Sequence, residues 1–253
     1  MRHDKRSAPG RREVLRALGA GLGAAALFPC GGAAASEASP GGTGGGSNAT
    51  CLLDPTLTRG PFWVDERLNR SDIRSDTKGA ASPNPRPGLP LTLQFAVSSY
   101  ASGVCTPLQG AQVDVWHCDA SGIYSDVGSA SGQNFLRGYQ VTGANGVARF
   151  TTIYPGWYTG RAVHIHVKVR LFDGSNNITT EATTQVFFDD SLTDSVFANV
   201  APYNARRSRD TRNGADGIYG NRTALLLALS GDTTSGYTGT ISLGVQVGRI
   251  NAG

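Results

Sequence analysis

The chain predicts an all-β fold, a β-sandwich core with long loops, on three observations. Short apolar runs of strand length recur between residues 91 and 188, several alternating with period two. Gly, Pro, Asn and Asp separate them, with turn dipeptides at Asn145-Gly146 and Asp173-Gly174. The 34 glycines and 39% apolar content suit a loop-rich globular chain. In order, the strand candidates are L-T-L-Q-F-A-V (91–97), A-Q-V-D-V-W-H (111–117), V-A-R-F-T-T-I (147–153), A-V-H-I-H-V-K-V-R-L (162–171) and T-T-Q-V-F-F (183–188). Thr223 to Leu229 reads equally as a helix or a buried strand. Residues 55–90 are too proline-rich and charged for sheet and are expected to wrap over the core.

The sequence divides into three parts. Residues 1–35 read as an export signal, with a basic R-R-E-V-L-R-A-L (Arg11 to Leu18) before a short, glycine-rich apolar run. The paired arginines with Leu15 resemble a twin-arginine signal, which predicts an exported, extracytoplasmic protein. Residues 36–50 form a Gly/Ser-rich linker, and residues 51–253 the functional domain. Cleavage after Ala33-Ala34-Ala35 and a lipid tether at Cys30 both stay open. Residues 1–35 hold six of the 23 basic and two of the 19 acidic residues, so the remainder is neutral at seventeen of each. That balance gives no reason to invoke nucleic acid as a partner. Cys51, Cys105 and Cys118 predict one disulfide and one leftover thiol, with Cys51–Cys118 the pairing favoured.

The chemistry concentrates in P-G-W-Y-T-G-R-A-V-H-I-H-V-K-V-R (155–170). On a strand, Val163, Ile165, Val167 and Val169 share one face, and His164, His166, Lys168 and Arg170 the other. Imidazoles at i and i+2 stand roughly 6.5–7 Å apart at Cα, close enough to converge on a metal ion. His117 would have to complete a three-histidine site, yet nothing in the spacing brings it there. No H-E-x-x-H, C-x-x-C or G-x-S-x-G occurs. The other anionic donors at hand are Tyr158, Tyr154 and Tyr124. A phenol binds as phenolate only to a strongly acidic ion, of which ferric iron is the common biological case.

The segments V-D-V-W-H-C-D-A-S-G-I-Y-S, F-L-R-G-Y-Q-V-T and F-T-T-I-Y-P-G-W-Y-T-G-R-A-V-H-I-H together resemble the intradiol ring-cleavage dioxygenases. The likeness is nearest to the protocatechuate 3,4-dioxygenase and secreted catechol-dioxygenase branch, and runs over roughly Cys51 to Val245. It implies a prealbumin/transthyretin-like sandwich. It also implies an Fe(III) cofactor held by Tyr124, Tyr158, His164 and His166, with Arg161 and Gln185 in the active site. Thr58-Arg59-Gly60-Pro61-Phe62 matches a segment that approaches the site in relatives. The six-residue step from Tyr158 to His164 is shorter than in many relatives. A helical N-terminal dimerisation region like that of catechol 1,2-dioxygenases is missing from the pattern, so the mode of assembly stays unspecified.

The implied partners are catechol-type aromatics and O₂, and the implied products muconate-type diacids. Charge balance explains the mixed donor set. Fe³⁺ with two phenolates, a hydroxide and neutral imidazoles is neutral, and stays so when a catecholate dianion replaces Tyr158 and the hydroxide. Of the two phenolates, the resemblance implies that Tyr158, the P-G-x-Y tyrosine, is the displaceable base and Tyr124 the permanent ligand. Arg161 would stabilise charge building on the ring, and Gln185 would orient the substrate or the peroxide. Two rival readings are a non-catalytic transthyretin-like module that binds metal or polyphenols, and an Fe²⁺ or Zn²⁺ enzyme of extradiol or hydrolytic type. A carboxylated substrate would need a further cation, which Arg206, Arg207, Arg209 and Arg212 could supply, although a solvated loop is the expectation for them.

Overall fold

Two β-sheets face each other in the computed structural model, which describes residues 52–53, 56–78 and 84–251. The expected export signal and linker, with Cys30, and Cys51 lie outside the described residues. The six-stranded sheet contains β1 (Leu52–Leu53), β2 (Pro90–Ala101), β3 (Val104–Pro107), β6 (Val147–Ile153), β9 (Ala228–Asp232) and β10 (Gly236–Val245). Its centre is β2, parallel to β10 on one side and antiparallel to β3 and β6 on the other. The five-stranded sheet runs β11 (Ile250–Asn251), β8 (Ile178–Phe187), β7 (His164–Phe172), β4 (Gln112–Trp116), β5 (Arg137–Val141). All five expected runs are strands, and the sandwich is as predicted.

Alternation builds the core. Leu91, Leu93, Phe95 and Val97 of β2 meet Val113 and Val115 of β4 and Val163, Ile165, Val167 and Val169 along β7, all at most 2% exposed. The opposite face of β7 is buried as well. The segment 56–78 crosses it, and Trp63 lies over Lys168 and Arg170 at 4.8 and 5.4 Å. That segment makes no regular strand, as expected, and ties both sheets together at their edges. The Arg70 amide donates to Tyr139 O of β5 at 3.2 Å, and the Ile73 amide to Thr151 O of β6 at 3.0 Å.

Three expectations are corrected, the third in part. Thr223–Leu225 is a short 3-10 turn, and the strand starts only at Ala228. Cys118 is a buried free thiol whose Sγ faces Gly156 O at 3.5 Å, whereas Cys105 is disulfide-bonded, so Cys51–Cys118 is not the pairing. The Arg206–Arg212 loop is exposed at Arg207, Ser208, Asp210 and Arg212, as expected, but not at Arg209. Arg209, its side chain 4% exposed, pairs with Asp190 and Asp194 of α1 (Asp190–Asn199), which the sequence reading missed. Asp189 caps α1 by accepting from the Ser191 and Leu192 amides at 2.9 and 3.0 Å.

Candidate metal centre

The histidine pair stands at the start of β7, where the sheet register sets its surroundings. Trp116 of β4 and Gln185 of β8 are the cross-strand neighbours of His166. The Trp116 ring stacks on His166 at 4.7 Å and 7°. His164 donates its Nδ1 proton to Ala162 O at 2.7 Å, which fixes the tautomer and leaves a bare lone pair on Nε2. Around that lone pair gather His166 Nε2 at 3.2 Å, Tyr158 Oη at 3.2 Å, Tyr124 Oη at 3.5 Å and Arg161 Nη1 at 3.5 Å. Burial pushes the His164 imidazole down to about 3 and His166 well below its ordinary value. Both are therefore neutral at physiological pH, the form in which imidazole ligates a metal.

Two loops deliver the tyrosines. After β4, the Asp119 carboxylate accepts the Ser121 and Ile123 amides at 2.8 and 3.0 Å and folds the turn that ends in Tyr124. The second loop, P-G-W-Y, packs directly on it. A Cβ at Gly156 would sit 2.5 Å from the carbonyl oxygens of both Asp119 and Ala120, and one at Gly122 would collide with Trp157 O. The glycines of G-x-Y and P-G-x-Y thus serve one contact that brings the phenols together. Tyr124 is 4% exposed and stacks under Phe62 at 4.4 Å, while Tyr158 is half-buried. Burial raises the phenol of Tyr124 well above its ordinary value and that of Tyr158 to about 12. Phenolates here require a strong cation beside them.

Behind the donors lies a hydrogen-bonded frame. Arg161 Nη2 donates to Gln185 Oε1 at 2.5 Å and Nε to Asp216 Oδ2 at 2.8 Å. Gln185 Nε2 donates in turn to Thr58 O at 2.8 Å, so both ends of its amide are committed. Asp216 also accepts the amides of Ala162, Ile218 and Tyr219 at 2.8, 2.8 and 3.1 Å. Burial alone would raise its pKa, but the Ala162 amide and the Arg161 guanidinium outweigh that and hold it below the usual carboxylate range. Sequence reasoning did not find Asp216. Thr58-Arg59-Gly60-Pro61-Phe62 reaches the site as expected. Gly60 backs onto the His166 ring, where a Cβ would come within 3.2 Å of Cε1.

The structure brings Tyr124, Tyr158, His164, His166 and Arg161 to one point, with Gln185 bonded to Arg161. It leaves out Tyr154, bonded to Thr193 Oγ1 at 2.8 Å, and His117, held between Cys118 O and Thr152 Oγ1 at 2.8 and 2.7 Å. Among the described residues no group of three or more His, Cys, Asp or Glu could hold a metal ion. The acidic donors here are phenols. The donor set fits a trivalent cation on two counts. Four polar groups contest the single lone pair of His164 Nε2, so protein groups alone leave the cluster unsatisfied. A cation at that point would satisfy both phenolates and both imidazoles, and two phenolates suit a hard ion of high charge such as Fe³⁺.

Residues 59–207 match a protein-family model described as dioxygenase. The structure is similar to an intradiol ring-cleavage dioxygenase from Tetranychus urticae, with a TM-score of 0.64, 30% identity, and coverage of 78% of this chain and 95% of that one. It is similar also to the dioxygenase domain of a dioxygenase–carbohydrate-binding protein fusion from the cellulolytic bacterium Streptomyces sp. SirexAA-E. That match has a TM-score of 0.53 and 29% identity, covering 77% of this chain and 99% of that one. A chlorocatechol 1,2-dioxygenase of Pseudomonas putida is 33% identical over 92 residues, a stretch spanning 29% of this chain and only 35% of that relative.

Proposed function

From the premise that the chain belongs to the intradiol ring-cleavage dioxygenase family, we propose that it is an Fe(III)-dependent enzyme. It opens the ring of catechol-type aromatics between the two hydroxyls, incorporating both atoms of O₂ to give muconate-type diacids. The observation that carries this reading is the convergence of two phenol oxygens and two Nε2 atoms around one point, with a guanidinium at its edge.

Tyr124, Tyr158, His164 and His166 would hold the ion. When bound, ferric iron supplies Lewis acidity that draws electron density from a chelated catechol and makes the ring reactive toward O₂. The chain's own residues divide the remaining work. Tyr124, buried beneath Phe62, has little freedom to leave and serves as the permanent phenolate. Tyr158 is half-exposed, and its phenol, pushed up to about 12, is a strong enough base to take a catechol proton at Oη when substrate displaces it. Arg161 presents Nη1 to the reacting point while Asp216 and Gln185 fix its other nitrogens, so its charge is already aimed where negative charge builds on the ring. Gln185, with both amide ends engaged, acts by positioning Arg161 and the Thr58 segment. Beside the site, Thr58, Arg59, Thr159 and Gly160 are exposed.

The test is a visible absorption spectrum of the purified protein with iron quantified on the same sample, before and after anaerobic addition of catechol. The expected result is about one iron per chain and a phenolate-to-iron band that moves to longer wavelength with catechol. A protein that stays colourless after ferric reconstitution would overturn the assignment and leave a non-catalytic binding module in its place. The export signal of residues 1–35 supports an extracytoplasmic site of action, and recovery of the unprocessed chain from the cytoplasm would refute that part.

A further inference from the structure

Away from the metal centre, a cavity of about 360 Å³ opens between α1 and the loop that follows it, lined by Asp194 and Phe197 with Arg206, Arg207, Arg209 and Arg212. That volume lies within the range of small-molecule sites. The charges in it do not balance. Arg209 pairs with Asp190 and Asp194 at 2.6 and 2.9 Å, and Arg212 takes the other oxygen of Asp194 at 2.6 Å. Both carboxylates are thereby used. Arg206 and Arg207 form no ion pair among the described residues, yet both lie over the Trp157 ring, with Cζ at 4.7 and 5.1 Å from its centroid.

Arg206 is not free to swing away. Its Nη1 donates to Trp157 O at 2.9 Å and Ala120 O at 3.3 Å, bridging the backbones of the two tyrosine-bearing loops. Arg207 makes no hydrogen bond among the described residues, and Asp210 feels its charge only from beyond ion-pair reach, so its guanidinium fork is open to a ligand. Two cations on one indole repel each other, and an anion between them would relieve that repulsion. The guanidinium fork matches a carboxylate in two-point geometry. The half-buried ring of Phe197 offers an apolar wall beside the cations, and Asp194 at the rim disfavours a highly charged anion.

From this arrangement we infer that the cavity is a second binding site, for a small aromatic monocarboxylate. Arg206 and Arg207 hold the carboxylate, and Phe197 packs on the ring. The site stands apart from the metal donors, since none of its lining residues is one of them.

Benzoate is the probe, titrated calorimetrically into the iron-loaded full chain, with sulfate as a second titrant. The expected result is one benzoate bound more tightly than sulfate. Arg207→Ala should weaken it at least ~10-fold, the scale of a lost charged two-point contact. Arg207→Lys should recover only part of that loss, and catechol cleavage should be unchanged in both variants. His166→Ala, which removes a metal donor, should still bind benzoate. Loss of benzoate binding in His166→Ala with full retention in Arg207→Ala would place the carboxylate at the metal instead and overturn the inference. Sulfate binding as tightly as benzoate would reduce the site to an unselective anion patch, and no binding of either would remove it.

Discussion

His164 and His166 at one end of β7, and Lys168 and Arg170 at the other, share a face, a period and near-complete burial, at 2%, 1%, 1% and 4% exposed. At the far end every charge is met. Lys168 Nζ reaches Glu181 Oε1 at 2.5 Å, and Arg170 takes Asp114 at 2.7 Å and Asp65 at 2.9 Å. Burial works against the Arg170 cation, but the carboxylates of Asp65 and Asp114 outweigh it and raise its pKa. At the near end the opposing groups are two phenols and a guanidinium, and among the described residues no carboxylate or carbonyl bonds either Nε2. Polar alternation on a buried strand face therefore says only that the face is not core. What separates a structural pair from a site is whether the groups opposite complete it.

The largest effects should separate the two ends. His166→Ala should abolish iron binding and lower ring cleavage by at least ~10³-fold, about 4 kcal/mol. The same change should cost the metal-free chain less than about 2 kcal/mol of stability. Glu181→Ala should do the reverse. It strands a buried ammonium, so denaturant unfolding should show a loss of about 3–5 kcal/mol with iron stoichiometry intact. Joint replacement by Lys168→Met and Glu181→Leu should restore most of that stability. Iron lost from Glu181→Ala at unchanged stability would erase the distinction.

A smaller effect should appear one step behind the donors. Asp216→Asn can keep Oδ1 for the Ile218 and Tyr219 amides but replaces the charged oxygen that accepts from Arg161 Nε and the Ala162 amide. Steady-state kinetics should show kcat down ~10²-fold with KM, iron content and visible band little changed. A displaced band would mean that Asp216 supports the ligands themselves rather than the arginine.

The smallest effect uses His117, which is fully buried but touches no donor of the metal centre. Burial pushes its imidazole down to about 4, so the folded chain keeps it neutral while the unfolded chain takes a proton below about 6.5. Its contribution is present in full above pH 6.5 and drains as pH falls toward 4, by roughly 3 kcal/mol. Unfolding curves of the iron-free chain across that window should flatten in His117→Gln. Curves as steep as those of the unmutated chain would mean that His117 does not supply the slope.

The histidine pair was legible from strand alternation, whereas the choice of Tyr124 and Tyr158 over Tyr154, and the place of Arg161, rested on the family resemblance. His164 and His166 need only period two, and Tyr158 lies six residues away. Asp216 was invisible to both. It meets Arg161 across 55 residues, from a loop beyond the 59–207 stretch that matches the family, and one aspartate among turn residues carries no signal. The sandwich was legible, but α1 was not, since D-D-S-L-T-D reads as a turn until Asp189 caps it and Val196 finds the core. Pairing of the cysteines depended on where the loops fold, and Cys118 was withdrawn from it by lying beneath Gly156.

The Thr58 contact with Gln185 spans 127 residues, and the Leu57 amide bonds Thr183 O at 2.9 Å beside it. On a ribosome the Thr58 segment emerges early, yet its docking surface does not exist until β7 and β8 have been synthesised and paired. Closure of so long a loop comes late in folding. The wall that Gly60 and Phe62 form against His166 and Tyr124 therefore cannot close before β8 has been made, and until then the nascent centre is open on that side.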